Sequence, residues 1–178
     1  MGDENEFKKR KTPRFQSFDY NSVGAYFITI CTQNRRCILS RIVGTGVLDC
    51  PQIELTGYGE VADKYIKQLN DFYDYLSVEK YVIMPNHIHL LLWIKENKNT
   101  SDSRQSGVPV PINIERANSA CSQFVSTFKR FCNKEYGENI WQARFNDHII
   151  RNSNDYEEHI KYIYENPSCW YYDELYTE

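Results

Sequence analysis

Hydrophobic and polar positions along the 178-residue chain alternate between strand-like and helix-like stretches. Ala25 to Thr32 (AYFITICT) is dense in β-branched and aromatic residues, with Gly24 before it and the polar run Gln33–Arg36 after it, which predicts a strand. Residues 38–55 hold short apolar runs around Gly44, Gly46 and Pro51 and read as a hairpin insertion. Gly57-Tyr58-Gly59 reads as a turn. Beyond it Val61, Tyr65, Ile66, Leu69 and Phe72 recur at helical spacing. Val78–Met84 and His87–Ile94 are two strands separated by Pro85-Asn86, a link short enough for antiparallel neighbours. Residues 96–113 are polar and rich in Ser, Gly and Pro, the composition of a flexible loop. A helix is predicted from Glu115 to Tyr136, with Ala117, Ala120, Cys121, Phe124, Phe128 and Phe131 inward and Gly137 ending it. A strand over Phe145–Ile150 follows. The last helix begins near Asn154, with Glu157 completing a capping-box-like pair, and stops by Asn166 because Pro167 disfavours helical geometry in the residue before it.

Strand, helix, strand, strand, helix, strand is the split βαβ order. The expected fold is therefore α+β: a ferredoxin-like antiparallel sheet with helices, a hairpin insertion and an appended C-terminal helix. The expected organisation is a flexible basic arm over 1–14, one domain over 15–170 and an acidic tail over 171–178. Hydrophobic content of 41% and charged content of 25% place the chain among globular proteins and exclude wholesale disorder. No apolar run reaches the ~20 residues needed to span a bilayer, and the start MGDENEFKKRK lacks the apolar stretch of a secretory signal. A cytoplasmic protein without a membrane partner is expected. The six cysteines contain no C-x-x-C pair, which reads as free thiols rather than a zinc site. The net charge of -3 conceals an uneven distribution: acidic ends flank a body over 8–154 that carries +6. Such a body is compatible with phosphate binding, and equally with ordinary surface charge mixing.

Two constellations carry candidate chemistry. In His87-Ile88-His89 the alternation of a strand puts both imidazoles on one face, while Ile88, Leu90, Leu92 and Ile94 take the other. Two such rings can share a metal ion, or they can be core histidines with hydrogen-bond partners; unpartnered, they are costly in a buried sheet. In the last helix Tyr156, Ile160, Ile163 and Tyr164 form the packing face, and Glu158, Tyr162 and Asn166 form another at spacings of four. Tyr162 thus offers a phenol beside the amide oxygen of Asn166, although a single tyrosine among 14 is also an ordinary amphipathic surface residue.

With these residues in place, the chain resembles the tyrosine transposases of the IS200-like superfamily, and among them the REP-associated branch of single-tyrosine HUH (His-hydrophobic-His) nucleases. Three blocks carry the resemblance: RFQSFDYNSVGAYFITICTQNRR, YVIMPNHIHLLLWI, and IWQARFNDHIIRN followed by YIYENP. It covers roughly residues 9–170; the departures are the 96–113 loop, which does not align, and the ending NPSCWYYDELYTE, which is short. The resemblance implies that Tyr162 is the nucleophile, that His87, His89 and Asn166 hold Mg²⁺ or Mn²⁺, and that no nucleotide cofactor is needed. It further implies cleavage and rejoining of single-stranded DNA near REP-like hairpins through a 5′-phosphotyrosine. The partner implied is single-stranded DNA with hairpin structure, bound by a monomer or by a homodimer that exchanges the tyrosine helix.

Candidate DNA contacts are Lys9, Arg10, Lys11, Arg14, Arg35, Arg36, Lys129, Arg130 and Arg144 for phosphates, with Tyr20 and Trp141 for base stacking. Three alternatives remain open: a domesticated protein that binds DNA hairpins without cutting them, an RNA-binding module of the RRM type, and a hydrolytic metal nuclease in which Tyr162 is dispensable.

Overall fold

The computed structural model describes residues 23–44, 51–95 and 120–177. The predicted arm over 1–14, the loop over 96–113, and the candidate residues Lys9, Arg10, Lys11, Arg14 and Tyr20 lie outside them. In chain order the elements are β1 (Gly24–Cys31), β2 (Ser40–Val43), β3 (Gln52–Leu55), α1 (Gly57–Phe72), β4 (Leu76–Ile83), β5 (His87–Ile94), α2 (Ala120–Tyr136), β6 (Asn146–Ile149) and α3 (Ser153–Glu165). The main sheet has the order β4-β5-β1-β6, antiparallel at every pairing, and β2–β3 form a separate two-stranded ribbon. This is the predicted ferredoxin-like sheet with its hairpin insertion and appended helix.

Both faces of the central strands are covered, which is why β1 and β5 read as nearly continuous apolar runs. On one face Tyr26, Ile28 and Ile30 of β1 and Ile88, Leu90, Leu92 and Ile94 of β5 meet Ile66 and Leu69 of α1 and Phe124 and Phe128 of α2. On the other face Ala25, Phe27, Val82 and Leu91 meet Ile163 of α3 and Trp170, in a smaller cluster. Among the described residues no helix is long and apolar enough to cross a membrane, and the five described cysteines are free thiols.

Three local expectations are corrected. Gly57-Tyr58-Gly59 is the first turn of α1 rather than a separate turn, because Thr56 caps the helix there and its Oγ1 accepts from the Gly59 N–H at 3.3 Å. Gly59 itself abuts the Leu39 backbone, and a Cβ at that position would overlap the Leu39 carbonyl oxygen. The α3 cap is Asn152, whose side chain accepts from the Asp155 N–H at 2.9 Å, and not the Asn154–Glu157 pair. Asn166 keeps right-handed helical geometry (φ -52°, ψ -43°) despite the following Pro167, and its N–H still bonds the Tyr162 carbonyl at 2.9 Å. Pro167 ends the helix by lacking the next N–H donor.

Candidate functional site

β5 starts at the Pro85-Asn86 corner. That corner is pinned by Thr32 at the end of β1, whose N–H and Oγ1 both donate to the Asn86 carbonyl, at 2.9 and 3.0 Å. Strand alternation then turns His87, His89 and Leu91 toward α3. Both imidazoles are enclosed (His87 0%, His89 3% exposed), and their ring centroids lie 4.4 Å apart.

Each ring is oriented through Nδ1. His87 Nδ1 lies 2.8 Å from Asn86 Oδ1. The Asn86 amide nitrogen donates to Leu175 O at 2.8 Å and to Thr177 Oγ1 at 3.1 Å, which fixes its oxygen toward His87. The Nδ1–H of His87 therefore donates, and its Nε2 carries the lone pair. His89 Nδ1 pairs with Thr29 Oγ1 at 2.9 Å, the residue directly opposite it in the β1–β5 register. Burial pushes His87 down to about 4. Burial, and then the neighbouring His87 and His159, push His89 well below the usual histidine range. Both rings are neutral near pH 7, the form in which imidazole ligates metals.

The helix supplies the other half. Tyr162 and Asn166 stand one turn apart on α3. The Tyr162 ring packs edge-on to His89 at 5.2 Å between centroids and near Phe27 at 6.0 Å, while the residue stays 42% exposed. Asn166 is 2% exposed. The atoms His87 Nε2, His89 Nε2 and Asn166 Oδ1 are all buried and have no hydrogen-bond partner. A buried polar atom without a partner costs roughly 1–3 kcal/mol; two imidazole nitrogens and an amide oxygen are together the kind of donors that suit a divalent ion. The cleft encloses about 620 Å³ and is lined by Phe27, Thr29, His89, Tyr162, Asn166 and Asp173 among others. Burial, and then the charge of Asp173, push the Tyr162 phenol up to about 12.

The packing face of α3 is narrower than predicted. Ile163 is buried and Tyr156 and Ile160 pack at the cluster's margin, but Tyr164 is 63% exposed, with the Lys80 ammonium over its ring at 5.5 Å. Trp141 is not available for base stacking: it is 2% exposed and packs on Phe128 inside the main core, its backbone bridging Thr32. Lys129 is spent on the backbone, donating to the Gln142 and Arg144 carbonyls at 2.7 and 3.2 Å, and burial lowers it to about 8. Arg36 pairs with Glu138 at 3.7 Å. Arg130 lies over the Phe131 ring and Arg144 is exposed; neither lines the cleft. Arg35, held at φ 53°, donates to the Glu174 carbonyl at 3.0 Å.

Residues that reasoning from sequence missed include Thr29, Asn86, Trp170 and Asp173. Register with His89 and adjacency to His87 are the signals that could have found the first two. Trp170 and Asp173 belong to a short helical turn (Trp170–Tyr172) and the segment after it, which fold back over the cleft; their composition alone reads as an acidic ending. A second cluster joins His148, Asp155 and His159, with both imidazoles hydrogen-bonded to Asp155.

Comparison with known proteins gives a consistent result. The chain is 30% identical over 149 residues to a Haemophilus influenzae protein described as a REP-associated tyrosine transposase, covering 84% of this chain and 73% of that one. It is 27% identical over 148 residues to the REP-associated tyrosine transposase of Escherichia coli, covering 83% and 68%. A solved structure of a REP-associated tyrosine transposase bound to a REP hairpin shares the fold, with a TM-score of 0.58 at 23% identity over 87% of this chain and 73% of that one. No protein-family model matches the chain.

Proposed function

This chain belongs to the REP-associated tyrosine transposases, and from that premise we propose that it cleaves and rejoins single-stranded DNA beside hairpins, with Tyr162 as nucleophile and a divalent metal on His87, His89 and Asn166. The observation that carries the reading is that both neighbouring histidines and Asn166 keep a buried atom without a partner, with the half-exposed phenol of Tyr162 packed on His89. Inert core histidines would be expected to have partners on both ring nitrogens.

In the proposed reaction the Tyr162 oxygen attacks phosphorus, the bond from phosphorus to the 3′ oxygen breaks, and the products are a 5′-phosphotyrosine and a free 3′-hydroxyl. The phenol is held neutral by its surroundings, so its proton leaves to water in the cleft as attack proceeds. The exposed side of Tyr162 admits the backbone, while Phe27 and His89 hold the ring from beneath. Rejoining reverses the step: an incoming 3′-hydroxyl attacks the phosphotyrosine, and the tyrosine is released. Bond energy is conserved in the covalent intermediate, and no nucleotide cofactor is required. A bound Mg²⁺ or Mn²⁺ would supply charge stabilisation at a phosphate oxygen; two nitrogen ligands suit Mn²⁺ better than Mg²⁺.

The test is a labelled oligonucleotide carrying a hairpin and a single-stranded flank, incubated with Mn²⁺, Mg²⁺ or a chelator and resolved under denaturing conditions. A denaturant-stable protein–DNA adduct is expected with metal and absent with chelator. Tyr162→Phe is expected to abolish it while leaving Mn²⁺ binding intact. Cleavage by Tyr162→Phe would indicate hydrolysis, and hairpin binding without any adduct would indicate a non-cleaving binder; either result overturns the reading.

A further inference from the structure

Asn166 keeps its amide oxygen buried and unpartnered while its amide nitrogen is hydrogen-bonded. An amide can be reversed about its last torsion at little intrinsic cost, and the reversed form would aim two N–H donors at the donor set. The structure contains an element that forbids the reversal. Asn166 Nδ2 donates to Asp173 Oδ2 at 2.8 Å. A carboxylate can only accept, so the amide nitrogen must face Asp173, and the oxygen of this cleft-lining residue is left on the other side, unpartnered. The same Oδ2 accepts from the Tyr162 hydroxyl at 3.2 Å, and Oδ1 accepts from the Leu175 N–H at 2.6 Å. Both carboxylate oxygens are thus committed to donors, which favours a bracing role over direct ligation, although Asp173 lies within reach of both histidines.

The segment that carries Asp173 braces the other half of the site as well. Leu175 O and Thr177 Oγ1 accept from the Asn86 amide that orients His87. The segment is itself anchored by Trp170, 5% exposed and 5.9 Å between ring centroids from His87, and by Arg35 on the Glu174 carbonyl. One stretch of chain therefore sets the tautomer of a ligand from β5 and the amide orientation of a ligand from α3.

We infer that Asp173 is a positioning residue that fixes the Asn166 amide with its oxygen toward the metal and holds the Tyr162 hydroxyl beside it. This rests on the metal reading above. Mn²⁺ alone is the probe, titrated into the full-length protein by calorimetry and by the loss of free-ion electron paramagnetic resonance signal, with thermal unfolding recorded for every variant. Asp173→Asn leaves one acceptor oxygen where two are used, so it cannot hold both the Leu175 N–H and the Asn166 amide nitrogen, and it is expected to weaken Mn²⁺ binding ~10–100-fold, the usual cost of losing a partner that orients a ligand. Asp173→Glu keeps the charge but displaces the carboxylate, and a similar direction of loss is expected if orientation is the cause. The double variant Asn166→Asp with Asp173→Asn is expected to recover affinity, because a carboxylate presents oxygen to the metal in either orientation. If the single variant fails to fold, the double variant and Asp173→Glu decide the matter. Wild-type affinity in Asp173→Asn, or an affinity loss that the double variant does not relieve, overturns the inference while the metal reading survives. Absence of Mn²⁺ binding in the wild type removes both.

Discussion

The two faces of the central sheet are made from the same strands and are opposite in character. Toward α1 and α2, β5 presents Ile88, Leu90, Leu92 and Ile94 to a core of aliphatic and aromatic side chains. Toward α3, the interleaved positions of the same strand present His87 and His89, opposite Thr29 and below a helix that buries only Ile163 among its apolar residues. The first face gains free energy by excluding water from apolar area. The second encloses polar atoms, satisfies one nitrogen of each ring, and leaves the other unsatisfied. A strand can thus serve as scaffold on one side and site on the other, because its period of two keeps the sets apart.

Substitutions on adjacent residues of β5 break or sharpen this contrast. Leu90→Ala, on the scaffold face, is expected to lower stability by about 2–5 kcal/mol through lost burial and a residual cavity, read as a lower denaturation midpoint in urea with little change in slope. His89→Leu, one residue away, removes the unpartnered Nε2 but also the Nδ1 partner of the buried Thr29 hydroxyl, and the two effects are expected to offset, so that metal-free stability changes less than in Leu90→Ala. The wild type should gain about 2.7 kcal/mol of stability with Mn²⁺ at a hundredfold excess over its dissociation constant, and His89→Leu should gain none. An equal metal-induced shift in thermal unfolding for the two proteins would count against the site. Smaller effects belong to the helices that frame the faces. Gly59→Ala forces a methyl against the Leu39 carbonyl and is expected to cost about 1–3 kcal/mol, seen as a lower melting temperature. Asn152→Ala removes the α3 cap and should cost about 1 kcal/mol, with amide exchange raised first in the opening turn of that helix.

Much of this contrast is legible in the residues. The run HIHLLLWI announces a strand with two faces, and its limits match β5, His87–Ile94. The elements and their order are readable because burial on one or both sides writes a periodicity into the sequence. Boundaries are less legible: the capping of α1 by Thr56 and of α3 by Asn152 depends on which of several eligible residues the backbone presents. Tyr164 misled because helical spacing gives the angle of a face but not its width. The individual basic residues were the least legible, since Lys129 and Arg35 look like phosphate contacts until carbonyls 13 to 139 positions away are seen to take them.

What the chain determines by itself is the set of parts: an imidazole pair on one side of a strand, a phenol and an amide one helical turn apart, and the order of elements that makes a split βαβ sheet. Local rules suffice there, because alternation and helical pitch act over a few residues. Only the tertiary structure decides that α3 lies over the histidine face, that Trp141 is core, and that residues 170–177 return to brace both halves of the site. Those outcomes turn on hydrogen bonds between residues 89 positions apart, such as Asn86 to Leu175, and on which buried polar atoms find partners, quantities no local pattern encodes.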